Sequence, residues 1–219
     1  MQKIVVDGKP IVPGKVVCVG KNYLAHIREM GGGKPMPEPT IFMKPNSSIL
    51  SGKDSVTIPA RLGLLHHEVE LCFVISQPCK SVSEQDARHA ISAWGVGLDF
   101  TLRDRQSVAK KSGGPWTISK CFDGAAVFGE FVSKDDSFDP VSQEISLKIG
   151  GEVKQSAKTD RMIFSFGEVI SFVSAFMTLD VGDVVMTGTP EGVGEVNDGD
   201  VIEAEVSSLP PLTVKILRP

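Results

Sequence analysis

The chain has no strong excess of either charge, no apolar run long enough to cross a membrane and no paired-cysteine motif. Its 23 lysines and arginines face 27 acids, a formal net charge of -4 over 219 residues. A small acidic surplus argues against nucleic acid or another polyanion as partner, because those are bound by basic clusters. No stretch approaches the roughly 20 apolar residues that span a bilayer as a helix, so no membrane partner is expected. The N-terminal MQKIVVDGKP lacks the apolar core of a secretory signal. Cys18, Cys72, Cys79 and Cys121 show no C-x-x-C spacing, which points to free thiols in a reducing compartment. The expected location is cytoplasmic, or an organelle if a transit peptide has been removed. There is no internal repeat, low-complexity tract or second block of composition. With 41% hydrophobic and 23% charged residues, residues 1–219 are expected to form one globular domain.

What is present centres on HHEVELCFVI, residues 66–75. It alternates like a strand, with Glu68, Glu70 and Cys72 on one face and Val69, Leu71 and Phe73 on the other. Two carboxylates side by side repel each other, and desolvation adds to the cost. A divalent cation, which prefers hard oxygen ligands, would offset both. The alternative is a solvated face with two ordinary glutamates, and Glu70 is expected to be surface-accessible. GVGLDF, residues 95–100, reads as a second strand with one carboxylate, Asp99, in an apolar, glycine-rich run. Asp99 is either a third ligand for the same cation or the cap of the next helix, TLRDRQSVAKK. On that helix Arg103 and Gln106 are three apart and share a face. Arg103 either grips a substrate carboxylate with its fork or makes a surface ion pair. Lys120 is flanked by apolar residues between Ile118 and Phe122. It is either a buried cation that needs an anion, such as a developing enolate, or a lysine with its head in water.

The other elements frame these. KVVCVG, residues 15–20, reads as a strand, and Asn22 as the N-cap of a short helix through Met30. Gly31–Gly33 and KPMPEP follow, so residues of about 20–37 are expected to form a hinged lid. His26 and Glu29 share a helix face, where a carboxylate orients an imidazole and raises its basicity; a solvated helix face is the alternative. TIFMKP reads as a strand in which Lys44 could be buried or exposed. A helix is expected from Ser83 to about Trp94, and an extended segment in GGPWTISKCFD. LKIGGEVKQ reads as a hairpin turning at Gly150 and Gly151. DRMIFSFGEVISFVSAF reads as an apolar helix, interrupted near Gly167. A strand, GDVVMT, feeds GTPEGVG, either an anion cradle to which Thr189 adds a hydroxyl or a plain turn. No Gly-Lys-Ser/Thr follows, so it is not a P-loop. Two strands joined by SSLPPL close the chain.

HHEVELCFVI, GLDFTLRDRQ, WTISKCFD, MIFSFGEVISFVS and TGTPEGVG stand in an order and at spacings that resemble the fumarylacetoacetate hydrolase family. The likeness covers about residues 15–217. It is to the short, single-domain form, typified by acylpyruvate hydrolases and oxaloacetate decarboxylases. Lys21 stands where the family often has arginine. The resemblance implies an α+β, mostly β fold: a mixed β-sandwich roll with short helices, assembled as a homodimer. It implies Mg²⁺ or Mn²⁺ held by Glu68, Glu70 and Asp99, with Ca²⁺ as a stand-in in crystals. It implies catalytic roles for His26, Glu29 and Lys120, and substrate contacts by Arg103, Gln106 and Thr189. The implied activity is cleavage of C–C bonds in small 2-oxo acids through a metal-stabilised enolate: acylpyruvate hydrolysis, oxaloacetate decarboxylation or both. A 2-oxo acid tautomerase, isomerase or hydratase on the same scaffold is one alternative. A non-catalytic metal-stabilised module or 2-oxo acid sensor is the other.

Overall fold

The strand Val69–Ile75 lies at the middle of a mixed seven-stranded sheet and is buried along its whole length. The computed structural model describes residues 1–52, 54–134 and 138–219. In that sheet Val69–Ile75 pairs antiparallel with Val184–Met186 on one side and Ile91–Asp99 on the other. Val16–Gly20 and Thr40–Lys44 continue one flank, and Ala126–Phe128 and Ile49–Ser51 the other. A five-stranded sheet, ordered Glu152–Lys158, Glu144–Ile149, Val201–Val206, Leu212–Leu217 and Ser55–Thr57, packs over one face.

Alternation along the central strand divides it between two cores. Val69, Leu71 and Phe73 enter the larger one, with Ile145, Leu147 and Ile202 of the second sheet. Cys72 and Val74 enter a smaller one with Phe128 and Phe131. Glu70 is therefore on the side of Cys72, away from the larger core. The mixed β roll with few short helices is the fold expected from the sequence. No helix among the described residues is long and apolar enough to cross a membrane.

Several boundaries differ from expectation. HHEVELCFVI is not one strand: Leu65–His67 pairs instead with Thr101–Leu102 and Gly194–Glu195 in a small third sheet, and the chain breaks at Glu68. The helix expected to reach Trp94 ends early. Glu84–Ala87 is helical, with Ser83 accepting from Asp86 N–H, and a 3₁₀ turn covers Arg88–Ala90. From Ile91 the chain is a nine-residue strand, because pairing such as Phe73 with Trp94 satisfies the backbone and seats alternate residues in the two cores. Thr117–Lys120 is a helical turn rather than extended; Ser119 and Lys120 N–H both donate to Trp116 C=O. The apolar helix starts only at Phe166, where Ser165 and Glu168 form a reciprocal capping box. Gly167 does not interrupt it; a Cβ there would lie 2.8 Å from Glu84 C=O. The Gly150–Gly151 hairpin is as expected, both residues having positive φ.

The glycines of the strand Ile91–Asp99 make room for aromatic rings. A Cβ on Gly95 would lie 2.8 Å from the ring of Phe131, and one on Gly97 2.6 Å from Cys72 Sγ. Gly95→Ala should destabilise the fold by about 1–3 kcal/mol through overpacking, measurable by urea unfolding.

Candidate functional site

The antiparallel register carries three acids to one place. Val69 opposes Leu98 and Glu70 opposes Gly97, while Asp99 N–H donates to Glu68 C=O at 2.9 Å. Ligand oxygens of Glu68, Glu70 and Asp99 lie within 4.8 Å of one another. The residues are 5%, 2% and 1% exposed. This removes the solvated-face alternative and corrects the expectation that Glu70 is surface-accessible. Asp99 is not a helix cap either, because the following helix, Arg103–Ser112, is preceded by Leu102 and has no side-chain cap.

Three buried cations pair with two of the three acids, Glu68 and Asp99. Lys120 Nζ donates to Glu68 Oε2 at 2.7 Å and to Asp99 Oδ2 at 2.6 Å. Its head is thus paired inside the protein, not in water. Arg103 Nη2 donates to Glu68 Oε1, Nη1 to Gln106 Oε1 at 2.6 Å, and Nε to His66 Nδ1 at 3.4 Å. Arg103 and Gln106 do share a face, but the ion pair is buried, not at the surface. Burial, then the charge of Arg103, pushes the His66 imidazole down to about 4, so it accepts from Arg103 as the neutral ring.

The third cation, Lys44, is fully buried, 2.7 Å from Asp99 Oδ1, and it also donates to Lys120 C=O. The sequence left its burial open. Alternation within Thr40–Lys44 was the available signal, since Lys44 falls on the face of Phe42, whose ring lies 5.0 Å from Lys120 Nζ.

Glu70 differs from its neighbours. Gly188 N–H donates to its Oε2 at 2.6 Å, and it has no ion pair among the described residues. Burial first, then the charges of Asp99 and Glu68, push its carboxyl well above the ordinary carboxylate range. Burial acts upward on Glu68 too, but Lys120 and then Arg103 outweigh it and hold that carboxyl low. Burial would lower Lys120, yet Asp99 and Glu68 raise its ammonium above the ordinary lysine value. Asp99 Oδ1, though beside Lys44, accepts no hydrogen bond among the described residues. An unpaired buried carboxylate, an acceptor without a donor and an all-oxygen ligand set together fit a hard divalent cation such as Mg²⁺ or Mn²⁺.

A helix and a loop cover this cluster. In the helix Leu24–Glu29, His26 is buried and its Nδ1 lies 3.0 Å from Glu29 Oε2. Glu29 Oε1 accepts from Gly192 N–H at 2.9 Å. Asn22 is not the N-cap, which is Tyr23. Its buried amide instead donates to Thr187 C=O and Phe164 C=O and accepts from Phe164 N–H, tying the helix to the loop ahead of Phe166–Phe176. The GTPEGVG segment is neither an open anion cradle nor a plain turn: two of its amides are spent on Glu70 and Glu29.

All the residues expected in the site line one cleft, except Glu29, which stands behind His26. Lys110 and Trp116 also line it and carried no signal in the sequence beyond being near Arg103 and Lys120. Removing the Lys44 charge should leave Asp99 buried and short of a partner. Lys44→Met is expected to lose about 3–5 kcal/mol of stability, read from urea unfolding of the metal-free protein.

Known proteins are similar to this chain over almost its whole length. A mitochondrial oxaloacetate tautomerase of Bos taurus is 41% identical over 204 residues, covering 93% of this chain and 92% of that protein. An oxaloacetate tautomerase of Escherichia coli is 42% identical over 187 residues, 85% of each. A crystal structure of a fumarylpyruvate hydrolase from Pseudomonas aeruginosa, in complex with Mn²⁺ and pyruvate, superposes with a TM-score of 0.94 at 32% identity, covering 100% of this chain and 96% of that one. The model of the fumarylacetoacetate (FAA) hydrolase C-terminal family matches residues 15–217, and with these relatives it establishes that the chain belongs to the fumarylacetoacetate hydrolase family of enzymes.

Proposed function

We propose that this chain is a divalent-metal-dependent enzyme that forms and reprotonates enolates of small 2-oxo acids, with oxaloacetate keto–enol tautomerisation as its main reaction. The observation that carries this is the buried cluster in which three acids meet three cations and Glu70 alone has no ion-pair partner among the described residues. The choice of tautomerisation is supported by the names of the bovine and E. coli relatives.

In this reading Glu68, Glu70 and Asp99 hold Mg²⁺ or Mn²⁺. When bound, the cation supplies Lewis-acid polarisation of a substrate carbonyl. Lys120 sets a second positive charge beside the developing enolate oxygen. Arg103 uses one N–H of each terminal nitrogen on Glu68 and Gln106, so each keeps another for a substrate carboxylate. Thr189 and Gln106 complete that grip. His26 places Nδ1–H on Glu29, which leaves Nε2 as the base. His26 takes a proton from C3 of the keto acid and returns it to the C2 oxygen to give the enol, and the reverse transfer regenerates the ketone.

A second reading is C–C cleavage on the same enolate: acylpyruvate hydrolysis, or oxaloacetate decarboxylation. The His26–Glu29 pair favours hydrolysis, because it suits activation of water as well as removal of a proton from carbon. The P. aeruginosa structure, a fumarylpyruvate hydrolase with pyruvate bound, supports it too. A structural cation would need neither that pair nor Lys120, which speaks against a non-catalytic module.

A homodimer is proposed as the working assembly. It is supported by Met43 and Phe176, 45% and 71% exposed, beside the edge strand Thr40–Lys44. For location, the bovine relative's mitochondrial name supports an organelle as a candidate alongside the cytoplasm.

Two substitutions test the roles. Lys120→Met should lower kcat about 10²–10³-fold for tautomerisation and cleavage alike, the cost of losing one donor to a developing oxyanion. An unchanged kcat would make Lys120 purely structural. His26→Ala should cost tautomerisation and acetylpyruvate hydrolysis about 10²–10⁴-fold. Decarboxylation of oxaloacetate should suffer less, since CO₂ departs without a base. Wild-type kcat/KM for the three reactions, with and without Mg²⁺, decides which is the main one. A higher value for acetylpyruvate than for oxaloacetate tautomerisation would favour the second reading.

A further inference from the structure

Gln155 takes no part in the chemistry described above, yet it is among the most completely bonded side chains in the molecule. It sits in the strand Glu152–Lys158, whose other residues are exposed or half-buried, and is itself 1% exposed. A buried amide must fill its donor and acceptor positions. Gln155 Oε1 accepts from Val69 N–H at 3.0 Å and lies 3.0 Å from His67 Nδ1. Gln155 Nε2 donates to Thr189 Oγ1 at 2.8 Å and to Pro190 C=O at 2.9 Å. The chain itself fixes which way the amide points. A backbone N–H can only donate and a carbonyl can only accept, so oxygen faces Val69 and nitrogen faces Pro190.

This has a consequence for Thr189. Its oxygen must accept from Gln155, so its own hydrogen is left for another acceptor. Among the described residues no acceptor for that hydrogen is present. Thr189 lines the cleft with His26 and Lys120. We infer that Gln155 is a positioning residue that sets the Thr189 hydroxyl as a hydrogen-bond donor into the cleft, aimed at a carboxylate oxygen of the 2-oxo acid. The inference rests on the proposed function for the idea that Thr189 meets substrate. The bonds that orient it are this structure's own.

The test is a double-mutant cycle. Gln155→Glu keeps an acceptor for Val69 and His67 but cannot donate as a carboxylate. It should accept the Thr189 hydrogen and turn it away from the cleft. Gln155→Glu and Thr189→Val should each lower kcat/KM for oxaloacetate about 10–100-fold, the worth of one hydrogen bond to a charged group, mostly through KM. The double variant should be no worse than either single one, and Thr189→Ser, which keeps the hydroxyl, should recover most of what Thr189→Val loses. Gln155→Met removes the donor without adding charge, and it replaces Gln155→Glu in the cycle if that protein does not fold. Additive losses would overturn the inference and leave Gln155 as a hairpin anchor. So would an unimpaired Gln155 variant beside an impaired Thr189→Val, or a Thr189→Val without effect. If wild type turns over no 2-oxo acid, the cycle is read instead as calorimetric affinity for oxalate in Mg²⁺-loaded protein. Non-additive losses there would sustain the inference while the proposed function fell.

Discussion

Six charged side chains buried together impose the main constraint on this structure. Glu68, Glu70, Asp99, Lys44, Arg103 and Lys120 are all withdrawn from water. Each ion removed from water costs several kcal/mol, and only close, well-directed partners offset that. The pairs formed by Lys120, Lys44 and Arg103 provide this for Glu68 and Asp99. Glu70 is left with one backbone amide. Such a cluster holds together only if the strands that carry it cannot slip. Both faces of Val69–Ile75 are packed, and a one-residue shift would exchange the two cores.

The GTPEGVG loop links the acids to the helix above them. Gly188 gives its amide to Glu70, and Gly192 gives its amide to Glu29, the partner of His26. Both glycines have positive φ. A Cβ on Gly188 would come within 2.8 Å of Asn22 Cβ, and one on Gly192 within 2.0 Å of Lys154 C=O. Glycine is required at both by conformation and by close approach. The loop therefore sets the distance between the three acids and His26, and Gln155 braces its middle from the second sheet.

Much of this was legible in the sequence, for reasons that also mark where legibility ends. Period-two alternation placed Glu68 and Glu70 on one face, and the acid in GVGLDF stood out because its neighbours are apolar. Three-residue spacing paired His26 with Glu29 and Arg103 with Gln106. The apolar run at Ile91–Trp94 fitted helix and strand alike, and the sheet partner that decided it is nearly twenty residues away. Lys44 stays open in the sequence because its one signal, a place on the face of Phe42, does not distinguish a buried head from one that reaches water. Gln155 left no local trace at all. Its partners are 34 to 88 residues distant, and a lone glutamine in a polar hairpin strand looks like a solvated one.

The three acids are proposed to form a cation site completed through Glu70. Titrating Mg²⁺ or Mn²⁺ into chelator-stripped protein, followed by calorimetry, tests it most directly. One divalent ion per chain is expected in the wild type. Binding should weaken markedly in Glu70→Gln, whose metal-free fold should be at least as stable, because a buried acid beside two others has been replaced by a neutral amide. A wild-type protein that binds no divalent ion, or a Glu70→Gln protein that binds it as tightly, would contradict the account.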